Sequence, residues 1–182
     1  MTVAAPKAPT TDATSRLART MEPAEWAAAG IPLLRAPREV VTGLHARHRP
    51  RPLTAIVAVL GPDDRLTASA SFGRGAAQPD GWEFRNALLD QLRRVIPHDL
   101  RLRRPVRTAM LLYCREGEEG WTEEDGAWMW ALRDACTLHG LRCGAYVTLT
   151  PRGWRVHGEE RRGRRPAVRL GGPRPVTGGA RR

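Results

Sequence analysis

Two continuous apolar segments constrain the fold of this chain more than any other feature of its sequence. TAIVAVL (residues 54–60) and TAMLLYC (residues 108–114) are each seven residues long and contain no charged side chain. A strand that is apolar at every position is covered on both of its faces, so helices must pack on each side of the sheet. The two segments therefore predict buried strands in the centre of an α/β domain.

Helical and strand patterns alternate along the rest of the chain. RLTASASF alternates small apolar and polar residues, which is typical of a half-buried strand. With helices predicted from their apolar periodicity and from Pro and Gly boundaries, the predicted order is β-β-α-β-α-β-β, a single mixed sheet with helices packed on it. Besides the two apolar segments, it comprises strands at 65–72, 141–149 and 154–157 and helices at 81–96 and 123–139.

The composition divides the chain into three parts. Residues 1–20 are rich in Ala, Pro and Thr, and residues 158–182 combine Arg, Gly and Pro with few side chains to bury, so both ends are expected to be disordered. Residues 21–157 form the predicted α/β domain, which begins with short helices at 22–29 and from Pro37.

The cellular compartment is inferred from three sequence features. No apolar run is long enough to span a bilayer, and no apolar stretch near the N-terminus indicates a signal peptide. The three cysteines, Cys114, Cys136 and Cys143, are an odd number without disulfide-like spacing. These features predict a cytoplasmic protein with reduced thiols and no membrane partner.

Positive charge is concentrated at the two ends of the chain. The net charge is +11, but residues 53–157 contribute only +1, whereas residues 1–52 contribute +4 and residues 158–182 contribute +6. Only one of the 30 basic residues is lysine, a bias that a GC-rich coding sequence would also produce. We predict an anionic partner, nucleic acid in the first place, bound by phosphate contacts from six arginines: Arg47, Arg49, Arg161, Arg162, Arg164 and Arg165.

The segment YCREGEEGWTEEDGAWMW (113–130) places six acidic residues within ten positions directly after a predicted buried strand. Thr122 and Asp125 have the spacing of a helix capping box, and acidic residues in a first helical turn are favoured by the helix dipole. The alternative is a site, because ligands of open α/β sheets bind beyond the carboxyl ends of strands and carboxylates bind hard cations. The candidate ligand or metal residues are Glu116, Glu118, Glu119 and Asp125.

The segment from about residue 33 to residue 157 resembles an uncharacterised family of actinobacterial proteins that is described only as a domain of unknown function. The likeness lies in LLRAPREVV (33–41), in His-Arg-Pro (48–50) before the first strand, in the strand ending LLYC, and in GLRCGAYVTLTPRGWRV (140–156). This resemblance implies a fold and no particular activity.

The junction after Cys114 is also similar to that of JAB/MPN metal-dependent hydrolases in their bacterial DNA-repair-associated form. That family holds zinc with a His-x-His and with an aspartate that follows a serine-containing loop. Tyr113 and Arg115 stand where the resemblance places the histidines, and Thr122 and Asp125 match the serine and the aspartate. The resemblance implies a degenerate copy that lacks two of the three protein ligands of a catalytic zinc. A metal-dependent hydrolase that uses this loop remains the alternative to a binding module.

Two groups of cysteine and histidine residues are candidate metal ligands. Cys136, His139 and Cys143 are zinc-ligand types, but their spacing lacks a close cysteine pair and favours burial. His45 and His48 lie one helical turn apart without an acidic partner, which favours a basic helix end.

Two further alternatives concern a thiol and the aromatic residues. A reactive Cys114 activated by Arg115 is less favoured than a buried thiol, because apolar residues precede it. Trp121 and Trp154 lie in or beside predicted turns, and Trp130 lies on the predicted helix at 123–139. As anchors for a partner, these three would indicate a protein-interaction or assembly factor. No catalytic residue and no cofactor are predicted, and the leading hypothesis is a non-catalytic binding module.

Overall fold

Six strands form a single sheet in the part of the chain that the structure describes. A computed structural model describes residues 19–75, 80–96 and 104–167. The strands are β1 Thr54–Leu60, β2 Leu66–Gly73, β3 Thr108–Cys114, β4 Arg142–Leu149, β5 Gly153–Val156 and β6 Arg162–Arg164. Their order across the sheet is β2-β1-β3-β4-β5-β6. Strands β3 and β4 are parallel and every other neighbouring pair is antiparallel, which confirms the predicted mixed sheet.

Four helices accompany the sheet among the described residues: α1 Pro23–Ala28, α2 Pro37–His48, α3 Gly81–Val95 and α4 Glu123–His139. None of them has the length and apolar character that crossing a bilayer requires. Helix α4 connects β3 to β4, so it crosses between the two parallel strands. The start of α4 and the ends of both strands are thereby brought to one edge of the sheet.

The central strands are covered on both faces, as their apolar sequences predict. On one face, α3, α4 and Trp26 of α1 pack on alternate strand residues, which include Val57, Leu111, Tyr113 and Tyr146. On the other face, Val41 and Leu44 of α2 pack with the intervening residues Ile56, Leu112 and Val147. Strand β1 has no exposed residue, in agreement with its uninterrupted apolar run.

Helix ends form where the sequence provides caps. Thr122 and Asp125 make the predicted capping box of α4, since the Thr122 side chain accepts from the Asp125 amide and the Asp125 side chain accepts from the Thr122 amide. The same helix ends at Gly140, whose φ of +77° costs glycine no steric strain. At the start of α3, Asp80 accepts a hydrogen bond from the Trp82 amide.

The predicted order of elements is wrong at its C-terminal end. The prediction placed the last strand at 154–157 and a disordered tail from residue 158, but Arg162–Arg164 pair with β5 as an additional edge strand. An Arg-Gly-Arg sequence has no strand propensity of its own, so this strand exists because β5 offers it a free edge. Residues 1–18 and 168–182, which hold most of the two predicted tails, lie outside the described residues.

Candidate functional site

Asp125 and Arg115 form a buried ion pair at the junction of β3 and α4. Asp125 is fully buried and Arg115 is 7% exposed. The Arg115 Nη2 atom lies 2.9 Å from Asp125 Oδ2, and the Arg115 Nε atom lies 3.4 Å from Oδ1. The two contacts give the side-by-side geometry that suits a guanidinium and a carboxylate.

Both carboxylate oxygens of Asp125 are occupied by protein donors. Besides Arg115, Oδ1 accepts from the Tyr146 hydroxyl at 2.7 Å and from the Thr148 hydroxyl at 3.3 Å. Oδ2 accepts from the Thr122 amide and hydroxyl, each at 2.8 Å. Each oxygen therefore accepts from three donors, which leaves no lone pair available to bind a cation. Burial, with Asp125 next to it, raises the pKa of the Tyr146 hydroxyl well above its ordinary value.

Arg115 also fixes the backbone of the acidic loop. Its Nη1 atom donates to the carbonyl oxygens of Glu116 at 3.2 Å and of Glu118 at 2.7 Å, and its Nη2 atom donates to the carbonyl of Gly120. A buried arginine that uses its donors on one carboxylate and three carbonyls is a structural support for the loop. The geometry thus assigns Arg115 a structural task at the position where the hydrolase resemblance would place a zinc ligand.

His157 extends this buried network toward β5. Its Nε2 atom lies 2.7 Å from the Thr148 hydroxyl. Because that hydroxyl donates to Asp125, it is free to accept a hydrogen bond from Nε2. Burial lowers the pKa of His157 to about 4, and the neighbouring Asp125 carboxylate only partly opposes that effect.

The four predicted carboxylates are not brought together. Glu116 and Glu118 are exposed, and Glu118 pairs with the exposed Arg152 at 2.8 Å. Glu119 is half-buried near Gly153, whereas Asp125 is buried with Arg115. Within residues 19–75, 80–96 and 104–167, no three His, Cys, Asp or Glu side chains are placed to hold a metal ion. The structure therefore separates the candidate metal ligands.

Glu124, in the first turn of α4, has two specific partners. It accepts a hydrogen bond from the Tyr113 hydroxyl at 2.6 Å and pairs with Arg74 Nε at 2.8 Å. Burial and the contact with Glu124 raise the pKa of Tyr113. This triplet ties the end of β2 to the start of α4, and the sequence could not reveal it because Arg74 is distant along the chain.

The cysteine and histidine candidates lie in the core or make local contacts. The pKa of Cys136 is raised because Cys143 hydrogen-bonds to it and because it is fully buried. Burial raises the pKa of Cys114 to about 12, with Arg165 opposing, so this thiol is not activated. His48 hydrogen-bonds to the Ser69 hydroxyl at 2.8 Å, and burial lowers its pKa.

A cleft of about 780 Å³ lies between α2 and β6. We call it the β6 cleft; its charged lining residues are Arg38, Glu160, Arg161, Arg162, Arg164 and Arg165. Five of these six charged residues are arginines. Four of the six arginines predicted to contact an anionic partner lie in this cleft, and Arg38 is an addition that the sequence did not single out.

The other two predicted arginines lie elsewhere. Arg47 donates to the Ser69 hydroxyl at 3.4 Å. Arg49 ends α2 in the left-handed conformation and lines a smaller hollow of about 280 Å³ that it shares with Arg51. The structure therefore places the predicted arginines on two basic surfaces, the β6 cleft and the C-terminal end of α2.

The rim of the β6 cleft is held by local contacts. Arg165 donates to the Thr150 carbonyl at 3.0 Å, and Arg161 pairs with Glu159. Gly163 lies flat against the Trp154 ring, where an added Cβ atom would come within 2.6 Å of Cζ2. Arg162 and Arg164 are exposed, so their guanidinium groups are available to a ligand.

The tryptophans proposed as partner anchors have different environments. Trp154 is buried at 4% exposure beneath β6, so its prediction as an exposed anchor is wrong. Trp121 and Trp130 are half-buried, and Trp130 packs edge-on against Trp82 at 6.1 Å between ring centroids. Trp82, 37% exposed, is contacted by the guanidinium groups of Arg19 and Arg85. Trp128 is buried in the core, where its ring stacks on that of Phe84 with 3.8 Å between the ring centroids.

Comparison with known proteins does not identify a relative. No family model, no curated protein and no solved structure gives a significant match to this chain. The two family resemblances therefore remain predictions, and function is inferred from the chain's own geometry.

Proposed function

We propose that this protein is a non-catalytic binding module that holds nucleic acid through its phosphates. The β6 cleft carries the proposal, because it presents Arg38, Arg161, Arg162, Arg164 and Arg165 against a single glutamate. Such an excess of positive charge in a concave surface attracts polyanions. Arg47 and Arg49, at the end of α2, would provide a second, weaker contact.

Arginine geometry favours phosphate over other anions. The planar guanidinium presents a fork of donors that matches two phosphate oxygens, and it keeps its charge at every physiological pH. Arg162 and Arg164 lie two residues apart in a strand, so they project to the same side of the edge strand. Contacts of this kind position a nucleic acid without reading its bases, so weak sequence preference is expected.

The alternative of a metal-dependent hydrolase has less support in the geometry. Its required aspartate, Asp125, already accepts from Arg115, Thr122, Tyr146 and Thr148. A cation at Asp125 would have to displace these donors from a fully buried position.

The test is a binding measurement on the full chain with two matched double variants. Fluorescence anisotropy of a labelled single-stranded oligonucleotide and of its duplex is recorded at low salt. Arg162→Gln/Arg164→Gln is expected to weaken binding by roughly tenfold, the factor that about 1.4 kcal/mol represents. Arg93→Gln/Arg94→Gln removes the same charge from exposed positions at the end of α3 and is expected to change the affinity by less than about twofold.

Two results would reject the proposal. One is the absence of binding by the wild-type chain at low salt to both oligonucleotides. The other is an equal loss of affinity in both double variants, which would mean that only the net charge matters and that the β6 cleft is not the site.

A further inference from the structure

The two edges of the sheet differ in how well they are protected against pairing with another strand. Strand β6, at one edge, is three residues long, and two of the three are arginines. Strand β2, at the other edge, is eight residues long, and its sequence LTASASFG contains no charge and no proline. Short length, charge and proline protect edge strands, whose unpaired backbone groups can bind another strand. Strand β2 therefore lacks the protection that β6 has.

The backbone of β2 presents free donors and acceptors along its outer side. The Arg74 amide donates to the Leu53 carbonyl, on the side of β1. Backbone groups alternate in direction along an antiparallel strand, so those of Phe72 also point to β1, whereas those of Ser69 and Ser71 point away from it. Among the described residues, β1 is the one strand that pairs with β2. The outward amides and carbonyls are thus available to another strand.

The side chains of β2 leave room for such a strand. Between Leu66 and Phe72 every side chain is that of alanine, serine or threonine. A further strand would lie at the usual spacing of about 4.8 Å, and small side chains do not obstruct that approach. Serine and threonine side chains that face each other across two strands can also form hydrogen bonds. The shift in the β1–β2 register lies at the start of β2, so most of the strand is regular.

The charges at the two ends of β2 favour a second copy of the chain as its partner. The turn before β2 contains Asp63 and Asp64, whereas Arg49 and Arg51 line the hollow next to Ser71 near its other end. Two antiparallel copies bring each acidic turn toward the basic end of the other copy, whereas parallel copies bring like ends together. Complementary charges of this kind select the orientation of an interface.

We propose that two copies of this chain pair antiparallel through β2 and join their sheets into one continuous sheet. An antiparallel pair of identical strands has two-fold symmetry and uses the free edge of both copies, so assembly ends at the dimer. The short, charged β6 opposes further growth at the outer edges. The inference is independent of the proposed function, because no arginine of the β6 cleft takes part in it.

Backbone hydrogen bonds supply most of the affinity, because other charges near β2 oppose or weaken the attraction. Arg47 and His48 contact Ser69 and would approach their counterparts across the two-fold axis. Asp63 and Asp64 also have exposed arginine partners within their own chain. An interface formed mainly by one pair of strands lies at the small end of the usual range, so a dissociation constant of roughly 10–100 μM is expected.

Sedimentation equilibrium of the full chain provides the first test. The salt concentration is about 0.15 M, which screens the repulsion between two chains that each carry a net charge of +11. The mean mass is expected to rise from that of the monomer at about 2 μM toward that of the dimer at about 500 μM. A chain that stays monomeric at about 500 μM would overturn the inference. Nucleic-acid binding by the β6 cleft would be unaffected by that result.

The variant Ser71→Pro tests whether β2 is the surface that pairs. Proline removes an amide that points away from β1, so the β1–β2 ladder keeps its hydrogen bonds while the second strand loses a donor. We expect the dimer to weaken by at least about tenfold, with an unchanged circular dichroism spectrum. A dimer as strong as that of the wild-type chain would show that the copies meet through another surface and would overturn the inference.

The variant Ser71→Lys tests the same position without a change to the backbone. A lysine on an edge strand opposes pairing, and the two-fold symmetry brings two new charges toward each other. Thr137→Lys adds the same charge on the exposed surface of α4 and is the matched control. Ser71→Lys is expected to weaken the dimer by at least about tenfold and Thr137→Lys by less than about twofold. Equal weakening in both would mean that the total charge, not β2, governs association, and would refute the proposal.

Discussion

Asp125 has a structural role, although its sequence context resembles that of a metal-binding or catalytic aspartate. Its role in the capping box of α4 could be predicted from the local Thr-x-x-Asp spacing. Its partners Arg115 and Tyr146 could not, because they come from the end of β3 and from β4 and meet Asp125 only after the sheet has formed. Local chemistry is visible in a sequence, whereas convergence of distant side chains is not.

Replacing Asp125 by asparagine tests this structural role. Asp125→Asn keeps the shape of the side chain but leaves Arg115 buried without a counter-charge, and such a change costs about 3–5 kcal/mol of unfolding free energy. Urea denaturation followed by tryptophan fluorescence gives the value. Glu118→Gln breaks only the exposed pair with Arg152, so a loss of less than about 1 kcal/mol is expected. A loss below about 1 kcal/mol for Asp125→Asn would contradict the buried network.

His157 makes stability depend on pH. Its pKa is about 4 in the folded chain against an ordinary 6.5, so the unfolded state binds more protons between these values. The contribution of the neutral His157 to the unfolding free energy is therefore fully present above pH 6.5. It is lost as the pH falls toward 4. The loss approaches about 3 kcal/mol at the acid end of this window.

The variant His157→Gln isolates that contribution. Glutamine can still donate to Thr148 but does not titrate, so its unfolding free energy should fall less between about pH 7 and about pH 4.5. Denaturant unfolding of both proteins at the two pH values gives the loss of unfolding free energy for each. The loss is expected to be about 2 kcal/mol larger for the wild-type chain than for the variant. Parallel pH curves for the two proteins would show that His157 does not titrate with the predicted shift.

At the scale of elements, the central strands and the long helices could be predicted and the edge strand could not. Strands β1 and β3 are apolar throughout, and α4 has a cap at each end, so their patterns are local and strong. Strand β6 is three residues long and holds two arginines. It depends on pairing with β5 and on the packing of Gly163 over Trp154, which are tertiary contacts. For the same reason the β6 cleft was not visible in the sequence, although four of its arginines were.

Gly163→Ala is the substitution that tests this edge. The added Cβ atom would lie 2.6 Å from Cζ2 of the buried Trp154, so either the ring or β6 must shift. We expect the unfolding free energy to fall by about 1–3 kcal/mol in thermal or urea unfolding, together with weaker oligonucleotide binding because the cleft rim moves.

Gly43→Ala is the matched control, since Gly43 lies within α2 and nothing lies within 4 Å of the added atom. Alanine there should stabilise the helix by up to about 1 kcal/mol. Unchanged stability and binding in Gly163→Ala would show that β6 does not pack as described.

At the scale of the whole molecule, charge is distributed unevenly around a neutral core. The net charge of +1 for residues 53–157 contrasts with the +6 of residues 158–182. The described part of that C-terminal segment includes β6, and its arginines line the same cleft as Arg38 of α2, so part of the charge is gathered at one concave surface. A composition effect alone would explain the abundance of arginine but not this arrangement.

The salt dependence of binding distinguishes organised phosphate contacts from a diffuse positive charge. For a single strand, the slope of log K against log salt concentration is about −0.7 for each phosphate that is neutralised. Arg162→Gln/Arg164→Gln should therefore reduce the magnitude of the slope by about 1.4, whereas Arg93→Gln/Arg94→Gln should leave it nearly unchanged. Anisotropy titrations across a range of salt concentrations provide the slopes. If the first variant weakened binding with an unaltered slope, Arg162 and Arg164 would contact the ligand without neutralising phosphate, and the partner would have to be an anion of another kind.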